Sequence, residues 1–388
     1  MSNAAKHIAI ITCCSDDWGG SEELWAQSVP LLLQQGHQVT VYKKDFNFAH
    51  PSVAELSGKG IRLVSFRPPS RGVGKKVINK IRRYFVRNPN PINYNSEHVE
   101  ALGVLLQKNK PDLVLVNQAI NFDGMGYAYQ CLMQDIRYAV ISHKAVDFFW
   151  PYHTERPYMI KAWENAIACF FVSQHNQRIT EEQFGLRLTH ASLIWNPVKV
   201  NRAIIPFPES KEVYKFACIG RFFVLDKGQD MLIRILSQEP WKSRPVQVTF
   251  VGGGPDEEAL KELAQLLDVK NIHFLNYQAD VTKLWETHHA LVLPSRSEGM
   301  PLVTIEAMSI GRPVIVTSAG GHAEMIQHGV NAYIGGATEK DFASVMEDAW
   351  KNRSHWDRVG KQAHAFITQH IPPSPETLFS NAVSKLIQ

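Results

Sequence analysis

Apolar runs of strand length recur along this chain, and stretches of helical periodicity separate them. The first run, His7–Cys14, is followed by the turn residues Asp16-Asp17-Trp18-Gly19-Gly20-Ser21. Ser21-x-x-Leu24 opens an amphipathic stretch that stops at Gly36, and Gln38–Tyr42 is the next run. Strand, helix, strand in that order is a βαβ unit, and its repetition predicts parallel sheet. Ile61–Phe66, Asp112–Val116, Tyr138–Ser142 and Ala168–Val172 continue the series. The pattern breaks near Asn196-Pro197, and Arg202–Glu209, with Pro206 and Pro208, reads as a linker. Alternation restarts with Phe216–Ile219, Val246–Val251, Ile272–Phe274, Ala290–Leu293 and Pro313–Val316. Ile371-Pro372-Pro373 then interrupts the helical pattern before a last helix, Glu376–Ile387. The expectation is an α/β protein with two doubly wound parallel sheets in tandem. Such sheets bind ligands beyond the carboxyl ends of their strands.

Composition narrows the class. A chain of 388 residues has room for two such domains, and 45% hydrophobic with 20% charged residues is the balance of a soluble globular protein. A net charge of +4 gives no support to a nucleic-acid partner. The five cysteines form no Cys-x-x-Cys pair or zinc spacing, and four lie in apolar runs. Reduced thiols in a cytoplasmic protein are expected. No apolar run nears the ~20 residues of a membrane span, and Ile8–Thr12 is strand length, not a signal sequence.

Chemistry concentrates in two segments. Pro294-Ser295-Arg296-Ser297-Glu298-Gly299-Met300-Pro301-Leu302 follows a predicted strand and opens a helix that carries Glu306. Pro301 suits the first helical position, and Gly299 lets backbone approach a ligand. Free N–H groups at a helix start hold anions or hydroxyls, and each carboxylate suits a vicinal diol. On spacing alone, a nucleotide-sugar site and a plain strand–turn–helix with two solvated glutamates are equally good readings. In the second segment, Gly220-Arg221 leaves a strand and Lys227-Gly228 begins the next helix. Arg221 and Lys227 suit one diphosphate, whose charge grows as a sugar–phosphate bond breaks. A surface ion pair with Asp226 is the plain alternative.

Together these segments resemble the retaining GT-B glycosyltransferases of family four, the "group 1" transferases. The resemblance rests on Glu298-x7-Glu306 within Glu-Gly-Met-Pro-Leu-Val-Thr-Ile-Glu-Ala-Met, on Gly220-Arg221 with Lys227-Gly228, on Val251-Gly252-Gly253-Gly254-Pro255, and on Gly320-Gly321 with Glu324. It covers the C-terminal half almost continuously. The N-terminal half matches more thinly, through Gly19-Gly20, through His143 without the usual His-Asp or His-Gly pairing, and through Asn196-Pro197-Val198 where Asn-Gly-Val is common.

The resemblance implies two facing Rossmann-like domains. Residues 1–198 would form the acceptor domain and 199–371 the nucleotide-sugar domain, with 372–388 a helix crossing back to the first. Glu306 would bind the ribose diol, and Glu298 with the backbone of Gly299, Met300, Pro301 and Leu302 would face the sugar. Arg221, Lys227 and Gly252, with Gly19 and Gly20, would lie at the diphosphate. Asn276, Tyr277 and Gln278 would lie beside the base. His143, Arg221, Lys227 and Glu298 would be the catalytic set. The donor would be UDP- or GDP-linked, with no metal and no further cofactor, so Asp16-Asp17 is read as turn chemistry. The acceptor stays open between saccharide, lipid-linked and small-molecule classes. An epimerase or a non-catalytic GT-B binding protein are the rival readings.

One stretch stands apart. Leu56 to Ser96 holds no Asp or Glu but ten Lys and Arg residues. Within residues 72–87, Val77, Ile78, Ile81, Tyr84 and Phe85 share one stripe, and Lys76, Lys80, Arg83 and Arg87 share another face. A core-packed helix with its charged face in water fits this pattern as well as a helix that lies on an anionic membrane, at the inner membrane face, or attracts an acidic acceptor.

Overall fold

The computed structural model describes residues 5–67, 96–209, 212–278 and 280–388. They divide into two compact units, residues 1–197 with 374–388, and residues 198–373.

The first unit holds a seven-stranded sheet: β1 (His7–Thr12), β2 (Gln38–Lys43), β3 (Arg62–Ser65), β4 (Leu113–Gln118), β5 (Tyr138–Ser142), β6 (Ala168–Phe171) and β7 (Ala191–Leu193), in the order β3-β2-β1-β4-β5-β6-β7. All its pairings are parallel, with Ile10 opposite Val41 on one side and Leu115 on the other. Helices cover both faces, which is why β1, β4 and β5 read as unbroken apolar runs. The second unit holds β8 (Tyr214–Ile219), β9 (Val246–Val251), β10 (Ile272–Leu275), β11 (Ala290–Leu293), β12 (Val314–Thr317) and β13 (Tyr333–Gly335), in the order β10-β9-β8-β11-β12-β13. In each sheet the strand order reverses once, between β1 and β4 and between β8 and β11. Ligands of doubly wound sheets bind at that reversal.

The last helix, Pro375–Leu386, belongs to the first unit, where it packs on the helix Glu23–Gln34. Ser28 donates to the Glu376 carbonyl at 3.2 Å, and Phe379 meets Phe170 edge to face at 5.3 Å. Residues 372 and 373 stay with the second unit, as does Val198.

The proline-bearing segment expected to be a linker is fastened to the second unit. Arg312 is fully buried and donates to the carbonyls of Ile205 at 2.8 Å, Pro206 at 2.7 Å, Trp285 at 2.6 Å and His288 at 3.1 Å. Arg202 donates to the carbonyls of Ile371 and Pro372, each at 2.8 Å. Nothing local in Arg202–Glu209 announces this, because the partner lies more than a hundred residues onward.

All five cysteines are free, and four are buried. No helix among the described residues is long and apolar enough to cross a membrane. The basic stretch 72–87 lies outside the described residues.

Candidate functional site

In the second unit, loops leave the carboxyl ends of β8 and β11 side by side at the strand reversal. After β8 comes Gly220-Arg221-Phe222-Phe223, a single turn of helix, Val224–Lys227, then Gly228 and the helix Gln229–Leu236. Lys227 therefore closes a short helix and does not open the next one, because Gly228 turns left-handed at φ +61°. A Cβ on Gly228 would stand 2.1 Å from the Pro294 carbonyl oxygen, so glycine lets the two loops touch. They are also laced together. The N–H groups of Arg296 and Ser297 donate to the Asp226 carbonyl at 2.7 and 3.1 Å. The Arg296 guanidinium forks onto Asp230 at 2.7 and 2.9 Å and reaches the Val224 carbonyl at 2.6 Å.

Glu298 sits within this frame, 6% exposed. Its Oε1 accepts from Lys227 Nζ at 2.6 Å and from Ser295 Oγ at 2.7 Å. Burial alone would push its carboxyl up. The Lys227 ammonium, the nearby His322 ring and the Ser295 hydroxyl together outweigh burial and hold it below the usual carboxylate range. His322 is fully buried, 2.9 Å from Thr304 Oγ1, and burial pushes it down to about 4, so it is neutral at pH 7. Arg221 is the more exposed cation. Its guanidinium lies 4.8 Å over the Phe223 ring and 3.5 Å from Asp226 Oδ2, so the plain ion pair with Asp226 is present.

The helix after Glu298 starts at Leu302, one residue later than the proline rule suggests. Pro301 is its N-cap in an extended conformation (ψ 113°), and the helix runs Leu302–Ser309. Glu306 is half-buried on it, with Oε1 accepting from the Lys199 N–H at 3.2 Å. Gly320 packs behind the Glu298–Gly299 backbone. Its φ is +60°, and a Cβ there would stand 2.4 Å from the Glu298 carbonyl oxygen, while the Gly321 N–H donates to Gly299 at 2.7 Å. Gly252 follows β9 and donates to the Leu275 carbonyl at 3.0 Å. Tyr277 and Gln278 are exposed beyond β10, and the Gln278 side-chain amide donates to the Asn276 carbonyl at 3.2 Å. Lys227, Glu298 and the backbone from Gly299 to Leu302 thus form one body. Ser295, His322, Asp230 and Arg296 complete it, and a sequence reader has no periodic signal for them.

Gly19, Gly20 and His143 belong to the first unit. Gly19 caps the turn of helix Gly20–Glu22 that follows β1. Behind it lies a polar network that residue patterns do not announce. Glu22 is 1% exposed and accepts from Thr12 Oγ1 at 2.5 Å, and Lys43 Nζ stands 4.0 Å away. Lys43 also donates to the Asp16 and Asp17 carbonyls at 2.6 and 2.9 Å, which holds that turn in place. Asn117 Nδ2 donates to the Ser21 carbonyl at 3.1 Å, so its Oδ1 faces His143 Nε2 at 2.8 Å. His143 therefore carries its proton on Nε2 and leaves Nδ1 as a buried acceptor with no protein partner. Burial lowers its pKa to about 3, so it is neutral at pH 7. Among the described residues, no group of three or more His, Cys, Asp or Glu is arranged to hold a metal ion.

Residues 214–352 match the glycosyl transferases group 1 family. Both loops of the second-unit site fall inside that segment. An uncharacterized glycosyltransferase of Haemophilus influenzae is 34% identical over 30% of this chain and 33% of its own length. The lipopolysaccharide 1,6-galactosyltransferase of Escherichia coli K12 is 28% identical over 62% of this chain and 65% of its own length. Each match spans less than two thirds of the relative's length. Among solved structures, Anabaena HepE in complex with UDP aligns over 98% of this chain and all of its own, with TM-score 0.73 and 17% identity. The fold is GT-B, a two-domain α/β architecture with a parallel sheet in each domain.

Proposed function

We propose that this protein is a glycosyltransferase that moves a sugar from a nucleoside-diphosphate sugar to an acceptor hydroxyl, with retention of configuration and without a metal ion. The observation that carries the reading is the pair of half-buried Lys227 and buried Glu298 at the strand reversal, set beside the backbone N–H groups that open the Leu302–Ser309 helix. A fixed cation, a fixed carboxylate and free N–H groups suit a diphosphate joined to a sugar. The group 1 match over this segment and the UDP held by HepE support it.

In this reading, Arg221 and Lys227 take the diphosphate and stabilise the charge that grows on it as the sugar leaves. Glu298 and the Gly299–Leu302 backbone orient sugar hydroxyls, and Glu306 accepts from the ribose diol. Gly252 gives the phosphates room, and Tyr277 with Gln278 lies beside a uracil or guanine base. Gly19 and Gly20 contribute backbone N–H groups, and the neutral His143 accepts from a hydroxyl. Retention and metal independence rest on the resemblance to the family. A cytoplasmic location rests on the five cysteines, all of them free thiols without zinc spacing.

The test is a donor screen with UDP- and GDP-sugars, measuring nucleotide release with and without acceptor, in EDTA. Acceptor-dependent release that persists in EDTA and yields a product with the donor's anomeric configuration by NMR is the expected result. Activity that only manganese restores refutes metal independence. Binding of every donor without any transfer refutes the enzyme assignment.

A further inference from the structure

The first unit contains a cavity of about 340 Å³ that the proposed donor chemistry does not use. It opens at the carboxyl ends of β1, β2, β4 and β5, where Cys13, Lys44, the loop Ile120–Gly124 and the loop Phe149–Tyr152 converge. Its size lies at the small end of ligand pockets (~300–1,000 Å³), which suits a single ring.

Its walls and base differ in chemistry. Phe149, Trp150 and Tyr152 stand at the rim, 43%, 62% and 71% exposed. Deeper in, Tyr127 is 4% exposed, and its hydroxyl is buried without a hydrogen-bond partner. The Asp123 carboxylate lies near it and accepts one protein hydrogen bond, from the Ile120 N–H at 3.3 Å. The loop that presents Asp123 is held in a costly shape, with Phe122 left-handed at φ 65°. Asn121 fixes it by donating to Gln183 Oε1 at 2.9 Å and to the Val146 carbonyl at 3.3 Å, and Gln118 donates to the Asp123 carbonyl at 2.7 Å.

We propose that this cavity binds one pyranose ring of a saccharide, its hydroxyls on Tyr127 Oη and the Asp123 carboxyl and its C–H faces against the rim aromatics. An alkyl chain would satisfy the aromatic walls but would bury the Tyr127 hydroxyl unpaired and leave the Asp123 carboxyl with the Ile120 N–H alone. A nucleotide would bring phosphate toward Asp123 and Glu155, with Lys44 the single cation among the described lining residues. A polyol with one apolar face satisfies both parts. That the ring belongs to the acceptor rests on the glycosyltransferase reading, and saccharide binding itself does not.

Saturation-transfer NMR on the full chain tests this. The probes are methyl α-glucopyranoside, methyl α-galactopyranoside and N-acetylglucosamine, with octanol as the alkyl probe and UDP as competitor. At least one glycoside should give a saturable signal that UDP does not displace. Tyr127→Phe with Asp123→Asn should weaken it on the order of tenfold or more, the loss of about one hydrogen bond at 1.4 kcal/mol per decade. Trp150→Ala, at an exposed position, should weaken it as well, and UDP binding should stay unchanged in both variants. Failure of all three glycosides to saturate, saturation by octanol alone, or displacement by UDP overturns the proposal. Glycoside binding in a protein that transfers no sugar would refute the proposed function and leave this cavity assignment standing.

Discussion

Replacing Lys227 with Met should destabilise the second unit strongly at neutral pH and weakly in acid. The variant leaves Glu298 6% exposed with the Ser295 hydroxyl as its remaining direct hydrogen bond. Removing one partner of a buried pair costs about 3–5 kcal/mol, and the 24% exposure of the lysine side chain puts this pair near the low end, ~3 kcal/mol. Glu298 has an escape, because it can take up a proton. Starting from an ordinary carboxyl near pKa ~4.3, that costs about 3.7 kcal/mol at pH 7 and about 1 kcal/mol at pH 5, at 1.36 kcal/mol per unit. The penalty follows the smaller of the two costs, so it should fall from ~3 kcal/mol at pH 7 to ~1 kcal/mol at pH 5. The sign agrees with the parent protein. Its Glu298 pKa is depressed in the fold, so the pair's stabilisation is complete above the unfolded value and fades as pH falls through the folded one. In Lys227→Met the folded pKa moves above the unfolded one, and acid then favours the fold. Urea denaturation of the parent, Lys227→Met, Glu298→Gln and the double variant at several pH values measures the coupling directly. A Lys227→Met penalty that is equal at pH 5 and pH 7.5, or that Glu298→Gln does not relieve, refutes the reasoning.

Three further outcomes follow from the geometry. Arg312→Met should cost about 3 kcal/mol by leaving four carbonyls short of a donor, and Arg312→Lys should recover little, since one ammonium cannot span them; calorimetry on both checks this. His288 and His322 are each held down to about 4 by burial, so from pH 6.5 down to 4 the unfolded chain binds more protons and stability falls by up to ~1.36 kcal/mol per pH unit for each. A melting-temperature profile over that range should become shallower in His288→Gln with His322→Gln, with His143 still contributing to the remaining slope. Glu306→Ala should weaken UDP or GDP binding by ~1.5–3 kcal/mol, the worth of a charged acceptor on a diol, and unchanged affinity by titration calorimetry would remove that role.

Most strands were legible because parallel strands buried on both faces are continuous apolar runs. Tyr138–Ser142, Val246–Val251 and Ala290–Leu293 coincide with observed strands end to end. Ala191–Leu193 and Tyr333–Gly335 escaped notice: three residues at a sheet edge leave too short a pattern to separate from a loop. Glu298 and Lys227 were legible as charges in glycine-bearing loops, yet their contact was not, since pairing across 71 positions leaves no periodic trace. The same holds for Arg312, which is fully buried on carbonyls as far as 107 positions away. The cavity beside Tyr127 was invisible for the opposite reason. Its aromatics look like core residues in sequence, and only the fold shows that three of them face outward.

The docking of Pro375–Leu386 on Glu23–Gln34 sets an order of events during synthesis. One unit is contiguous in the message and the other is split around it. At ~5–20 residues per second, the ribosome needs roughly ten to thirty-five seconds to translate 198–373 before the closing helix emerges. Throughout that interval the nascent first unit displays the faces of Ser28 and Phe170 that the closing helix will cover. The interrupted unit is therefore the one that chaperones should engage, and a premature stop just beyond Pro373 would leave it permanently in that state.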